Sequence, residues 1–440
     1  MRRFDILMVK MVALFLFATF SSQLMSQEKE IGGWVRGSFY GGGKDYPFAS
    51  LFTEASVKGS YRKDNAVLFA DVRLRAGLNF GERYIVPEIK EAYAGYEGEK
   101  VTFLVGNQII NRSKTELFAP MGGITPINPF FLTCDPDDQR LSNFMVKFET
   151  ILGKGVKAGV LLIPVYKESE YRFDLYNLGD GIAFQSPALP SKTLKNGSIA
   201  ANLDFSFRNV DLSLTYFRGY DPDYGFKMLS FTPTGANSVS IENSAAPYLK
   251  NTVGANAEIG LGQVILRGEG AWNITEDYEQ EIHIPYPSVE VAVGLETSIL
   301  NTTILAEYSL KKTLEFKDLA VPQITDPTDP MAMLQYGSEM AKYEFAMLNR
   351  RIFRQQEEYN HAAGITLSRS FANDILKFDL TSLYNITSEE WLLRGAFEWR
   401  ATDNLSATLG FNYLSGKEKT PYYYTKGIIN AVFAQIKISF

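Results

Sequence analysis

The 440-residue sequence predicts an all-β chain, a transmembrane antiparallel β-barrel of about eighteen strands, sixteen being the nearest alternative, with long extracellular loops and a helix in one of them. Three observations carry this. Alternating segments pair an apolar face with a charged one, tight connections alternate with long ones, and the final segment alternates up to a terminal Phe440.

The alternation is clearest at 66–80. Leu68, Ala70, Val72, Leu74, Ala76, Leu78 and Phe80 fall on one face, and Asp71, Arg73, Arg75 and Asn79 on the other. A period of two is a strand with two unlike faces. A sandwich strand seldom carries three charges in five positions, whereas lipid outside and a wet lumen inside account for both faces. The same division recurs at 210–216, at 289–299 and at 374–386. From Lys426 to Phe440, Ile428, Val432, Ala434, Ile436, Ile438 and Phe440 share a face that only Asn430 interrupts.

Strands are expected near 31–43, 49–61, 66–80, 88–98, 101–110, 141–149, 155–163, 198–208 and 209–219. The second half supplies 247–260, 263–274, 288–300, 302–312, 359–370, 373–386, 389–401, 403–415 and 426–440. Every second connection is tight, as at Arg62–Asn65, Gly98–Lys100, Arg208–Asn209 and Asn301. Long segments fall between them, at 111–140, 164–197, 220–246 and 313–358. Short periplasmic turns and long external loops are the pattern of an outer-membrane barrel.

The first residues read as a signal peptide, 1–26, leaving 27–440 as one barrel domain. Arg2 and Arg3 precede the apolar run Met11–Phe20, and small or polar residues lead to Ser26. The run is too short to span about 30 Å of hydrocarbon as a helix. The first strand is expected so close to the mature start that no N-terminal plug domain fits before it.

Composition agrees. A mean hydropathy of -0.11 excludes a bundle of transmembrane helices. The 24 Tyr and 31 Phe suit the aromatic girdles of a barrel. A net charge of -6 argues against a nucleic-acid partner, and a lone Cys134 excludes an internal disulfide. Outer-membrane lipid and lipopolysaccharide are the expected surroundings.

Two loops have character. In 313–358, Asp329 and Pro330 suit a helix start, and Met333, Tyr336, Met340, Tyr343 and Met347 recur at helical spacing. Leu334, Ala341, Phe345, Leu348 and Ile352 widen that face. Such a helix either packs on the rim or dips into the lumen as a lid. The segment 111–140 combines Arg112, Lys114, Glu116, Asp135, Asp137, Asp138 and Arg140 with Ile124, Ile127, Phe130, Phe131 and Leu132. A fully exposed loop would not keep that apolar cluster, so it is expected to fold inward as a constriction.

No catalytic motif is present, and an enzyme is not expected. His283 falls in a loop and His361 beside a strand start, where it would face lipid or a girdle. The aspartates at 135/137/138, 221/223 and 326/329 match no calcium-loop spacing and suit turns, so neither metal nor cofactor is expected. The candidate pore-lining residues are the charges on polar strand faces: Asp71, Arg73, Arg75, Glu91, Lys147, Arg267, Glu269 and Arg394. Glu307, Lys377, Asp379, Glu398 and Arg400 share that character. They either pair and stiffen the wall or set a field across the lumen.

Gly106-Asn107-Gln108 followed by Thr125-Pro126-Ile127-Asn128-Pro129-Phe130 resembles the GRQ…INPF block of an uncharacterised porin-like outer-membrane β-barrel family of Gram-negative bacteria, with Asn107 replacing the usual Arg. Tyr216–Asp221, Ser368–Phe371, Thr402–Leu405 and Ile438–Phe440 are similar to its later blocks. The resemblance implies a solute-passing barrel in the outer membrane, with Phe440 read by the barrel-assembly machinery. The reading that follows is a channel for passive passage of small solutes, constricted by 111–140 and 313–358. The alternative is a closed barrel that transports hydrophobic compounds or docks a secretion machine.

Overall fold

Segments that alternate in sequence become the wall of a closed barrel in the computed structural model, which describes residues 28–45, 47–176, 181–235 and 238–440. The expected signal peptide lies outside these residues. In chain order the strands are β1 (Glu28–Gly41), β2 (Phe48–Lys63), β3 (Ala66–Asn79), β4 (Glu82–Glu97), β5 (Val101–Gln108), β6 (Asn143–Gly153) and β7 (Val156–Ile163). Next come β8 (Ile182–Gln185), β9 (Ser198–Ser206), β10 (Val210–Tyr220), β11 (Gly225–Gly235), β12 (Ser238–Ala246), β13 (Leu249–Leu261) and β14 (Val264–Thr275). The chain ends with β15 (Ser288–Ile299), β16 (Thr302–Thr313), β17 (Tyr359–Phe371), β18 (Leu376–Asn385), β19 (Glu390–Arg400), β20 (Leu405–Ser415) and β21 (Ala431–Ser439). Eighteen of these form one sheet, while β8, β11 and β12 make a small three-stranded sheet in the loops.

Closure is explicit. β1 pairs antiparallel with β21 from Trp34↔Ser439 to Gly41↔Val432. Gly33 and Phe440 then exchange two backbone hydrogen bonds of 2.9 Å each, so the terminal residue supplies the last rung. A closed ladder leaves no open edge, which is what lets strands cross lipid.

The two faces separate as the alternation requires. Val35, Val57, Leu74, Leu214, Val293, Leu409 and Ile436 are exposed, whereas Arg36, Glu54, Ser56, Asp71 and Arg73 are buried. Trp272, Tyr308, Tyr359, Tyr384, Trp391 and Tyr413 stand outward near the long-loop end, and Tyr96, Phe207, Phe371 and Trp399 near the short-turn end. These are aromatic girdles bounding an apolar belt. At the short-turn end Leu300 and Asn301 both take positive φ, 50° and 60°, the geometry of a two-residue hairpin.

All eighteen expected wall strands are present, with differences at their ends. The final strand begins at Ala431 rather than 426, because α2 (Pro421–Ile429) occupies the residues before it. Pro421 opens that helix and Ile428 turns inward to pack on Phe433, so its place on the outward face was an accident of spacing. Asn430 replaces the missing rungs: its amide accepts from the Leu414 N–H at 2.6 Å and donates to the Leu414 carbonyl at 3.0 Å. Phe80 leaves the outward face too, turning at φ 48° onto Phe130.

Candidate functional site

Between β5 and β6 the chain does not stay outside. The segment 109–142 reaches inward-facing residues of β1, β3, β4, β6, β7, β9, β10, β13, β14, β16, β19 and β21, so it crosses the lumen. Three kinds of contact hold it.

The first is backbone to wall carboxylate. Glu269 of β14 accepts from the N–H groups of Lys114 at 2.8 Å, Thr115 at 3.4 Å and Met121 at 2.5 Å, and from the Ser113 hydroxyl at 2.6 Å. Glu307 of β16 accepts from the N–H groups of Glu116, Leu117 and Phe118 at 2.8, 2.9 and 3.1 Å. Glu91 of β4 accepts from Ile109 N–H at 2.9 Å. This stretch has no helix or ladder of its own, and buried backbone donors need acceptors. The wall is cut back to admit it: a Cβ on Gly254 would overlap the Met121 sulfur, and one on Gly364 would lie 2.8 Å from Leu117 Cδ1.

The second is apolar. Ile124 packs with Met145, Leu161, Ile163, Ala200 and Phe217, and Phe130 and Leu132 pack with Tyr40, Phe80, Ile428 and Phe433. The cluster that predicted an inward fold is therefore buried.

The third is ionic. Asp138 lies within the short turn Pro136–Gln139, which Asp135 caps by accepting from Asp137 N–H. Its two oxygens meet Arg36 at 2.6 Å and Arg73 at 2.8 Å. Arg36 also pairs with Glu54, and Arg73 with Asp71 at 3.1 Å. Arg75 bridges Glu54 at 2.8 Å and Glu88 at 3.0 Å, with its guanidinium 3.4 Å from the Phe131 ring centre. Lys90 donates to the carbonyls of Asp138, at 2.8 Å, and Arg140. Burial pushes the Asp138 carboxyl up, but the Arg36 and Arg73 guanidiniums outweigh it and hold the group down at about 2. Beside this turn, burial pushes the Cys134 thiol up to about 12.

The remaining sequence candidates take distinct places. Arg394 donates to the Cys134 carbonyl at 2.5 Å and to Asn412 at 3.0 Å. Arg267 pairs with Glu296 at 2.5 Å and Glu258 at 3.2 Å, and stands 3.9 Å from Glu116. Lys147 pairs with Glu149 at 3.1 Å. Arg112 lies 3.8 Å from Glu149 and 3.9 Å from Asp204. Asp137 is exposed and pairs with Arg140 at 3.3 Å, while Lys114 contributes its backbone to Glu269. Lys377 with Asp379 and Arg400 with Glu398 are pairs within one strand, away from the loop.

Three inward residues escaped the sequence reading. Arg36 and Glu54 lie on the polar faces of β1 and β2, where strict alternation with Val35 and Ala55 would have found them. Lys90 could not be found that way. The β3–β4 register steps from Asp71↔Glu91 to Val72↔Ile89, so Lys90 is an extra residue in a bulge that resets the period.

At the mouth, α1 (Pro330–Ile352) is capped by Asp329, which accepts from Met331 N–H at 2.9 Å. Its packed face is not the Met/Tyr stripe, of which Met333 is exposed and none belongs to the buried cluster. Phe345, with Ala341, Leu348 and Ile352 beside it, packs on Tyr224, Phe226 and Ile241 of the loop sheet. Two amides latch it. Asn349 bonds both backbone groups of Phe226, at 2.7 and 2.8 Å, and Gln355, just past the helix, bonds both of Tyr286, at 2.9 and 2.7 Å. The helix thus packs at the rim, clamped to two other loops. His361 stands in the outer girdle with its Nδ1 2.5 Å from the Tyr308 hydroxyl.

No protein-family model matches the sequence, and no curated protein matches it. Solved structures do resemble the fold. The chain is similar to Pseudomonas aeruginosa OpdK, solved with vanillate, at a TM-score of 0.53 and 9% identity, covering 94% of this chain and 98% of that one. Pseudomonas aeruginosa OccK5 (OpdH) gives 0.51 at 10% identity, covering 94% and 97%. Acinetobacter baumannii OccAB3 gives 0.50 at 9%, covering 94% and 98%. At such identities the likeness establishes the architecture: the chain is an eighteen-stranded barrel built like these outer-membrane proteins.

Proposed function

We propose that the protein is a porin-like channel in the outer membrane of a Gram-negative cell, passing small solutes passively through the lumen. The observation that carries this reading is a closed wall of eighteen strands whose inner face is polar and whose third external loop is fixed across the interior. A barrel of that size leaves an aqueous lumen unless loops fill it. The segment 111–140 narrows the lumen and α1 narrows the mouth. Lipid and lipopolysaccharide surround the apolar belt, and Phe440, exposed at the end of the closing strand, serves the assembly machinery.

Planar-bilayer recording of refolded protein tests this. Stepwise conductance is expected, larger after deletion of Met331–Gln356. Silence from both proteins, each shown to be folded by its β circular dichroism and by a gel shift on boiling, would refute the channel.

A further inference from the structure

The sector of wall formed by β6, β7, β9, β10 and β13 carries hydrogen-bonding capacity that the protein leaves unused, as do Arg75 Nε and Asn360 Oδ1 elsewhere on the barrel. Asp204, Ser213 and Asn256 stand in register across β9, β10 and β13, with Asn202 and Thr215 in the next row. Asn256 is 5% exposed, and its amide nitrogen donates to the Arg112 carbonyl at 2.9 Å. Among the described residues, its Oδ1 and the Arg112 Nε are buried without a hydrogen-bond partner. The Arg112 guanidinium, with a side chain 16% exposed, has Glu149 and Asp204 at 3.8 and 3.9 Å, beyond hydrogen-bond reach. A buried donor and a buried acceptor left unpaired are costly, so a molecule offering partners to both gains there.

Charge decides the class of molecule. Arg112, Lys147 and Lys157 face Glu149 and Asp204 within one cluster. An oxyanion approaching Arg112 meets two carboxylates, and a cation meets three basic groups. A neutral solute with several hydroxyls meets neither penalty, since each hydroxyl both donates and accepts. It can accept from the Arg112 fork and donate to Asn256 Oδ1 and Asp204. Solvent reaches the site, for Asp204 and Lys157 side chains are 25% and 44% exposed.

We infer that Arg112 and Asn256, with Asp204 and Glu149, form a binding subsite for neutral polyhydroxylated solutes of the saccharide class. This rests on the channel reading for its purpose but not for its test. Calorimetric titration of detergent-solubilised protein with sucrose, with tetraethylene glycol and with succinate measures binding whether or not the barrel conducts. Saturable heat is expected from sucrose alone. Arg112→Met and Asn256→Ala are each expected to weaken sucrose at least tenfold. Arg112→Lys, which keeps the charge and loses the fork, should weaken it comparably. In bilayers sucrose should then produce saturating current block and tetraethylene glycol none. The inference is overturned by equal or absent heat from sucrose and tetraethylene glycol, by binding of succinate in preference to sucrose, or by Arg112→Lys binding sucrose like the wild type. Sucrose binding by a protein that never conducts would uphold the subsite and refute the channel.

Discussion

Where the crossing loop meets β14 and β16, carboxylates on the wall receive N–H groups of the loop backbone. Where it meets β1 and β3, a carboxylate on the loop is received by guanidiniums on the wall, and at β4 the Lys90 ammonium takes the Asp138 and Arg140 carbonyls. The first arrangement fixes the shape of the chain between Lys114 and Met121 chiefly through its backbone, with the Thr115 hydroxyl also donating to Glu269 at 3.3 Å. The second centres on one residue, Asp138, and depends chiefly on its charge. One end of the loop is thus held through its backbone and the other by an ion pair, and the two ends should fail under different substitutions.

The largest expected effect comes from the ionic end. Asp138→Ala leaves Arg36 and Arg73 without their shared partner, and breaking a buried pair in this way costs about 3–5 kcal/mol. Limited proteolysis should cut near 135–140 in the variant and not in the wild type, while barrel heat-stability on gels falls. Unchanged protease resistance would mean that the apolar cluster around Phe130 holds this end by itself.

Next is the conformational end. Glu307→Ala strips acceptors from three backbone donors, at about 1–3 kcal/mol for each that water does not reach. Hydrogen exchange at Glu116, Leu117 and Phe118 should accelerate, with the amides of 135–140 little changed. Acceleration at both ends together would show that the moorings are one cooperative unit and dissolve the contrast.

Acid should loosen the ionic end without mutation. The Asp138 carboxyl is held at about 2 in the folded chain against an ordinary 3.8, a depressed group. Its contribution, about 2 kcal/mol, is present above pH 4 and fades as pH falls from there through 2. Protease sensitivity near 135–140 should rise over that window in the wild type and be pH-independent in Asp138→Asn. The smallest effect is expected at α1. Asn349→Ala removes the amide that pairs Phe226, loosening the helix by about 1–3 kcal/mol and leaving the lumen loop alone. It should register as faster exchange across Ala341–Ile352.

The same contrast separates what could be read in the sequence from what could not. Wall strands were legible because lipid and water impose opposite demands on neighbouring residues, as along Leu68–Leu78 against Asp71, Arg73 and Arg75. The apolar run in 111–140 marked an inward loop for a similar reason, and Arg73 and Asp138 were both visible as charges. Their partnership was not, since it joins residues 65 positions apart. The role of Glu269 and Glu307 was less accessible still: their partners are backbone N–H groups, which every residue but proline carries. Lys90 was hidden by its bulge, and α2 by a residue spacing that also fits a strand.

A channel of this build needs a wet passage beside the moored loop, with the loop setting its width. The most direct measurement is single-channel conductance of the wild type against the Glu269→Ala/Glu307→Ala double variant in the same bilayers. A conducting wild type and a larger or noisier conductance in the variant are expected. Identical conductances, from a variant whose loop amides exchange freely, would contradict the claim.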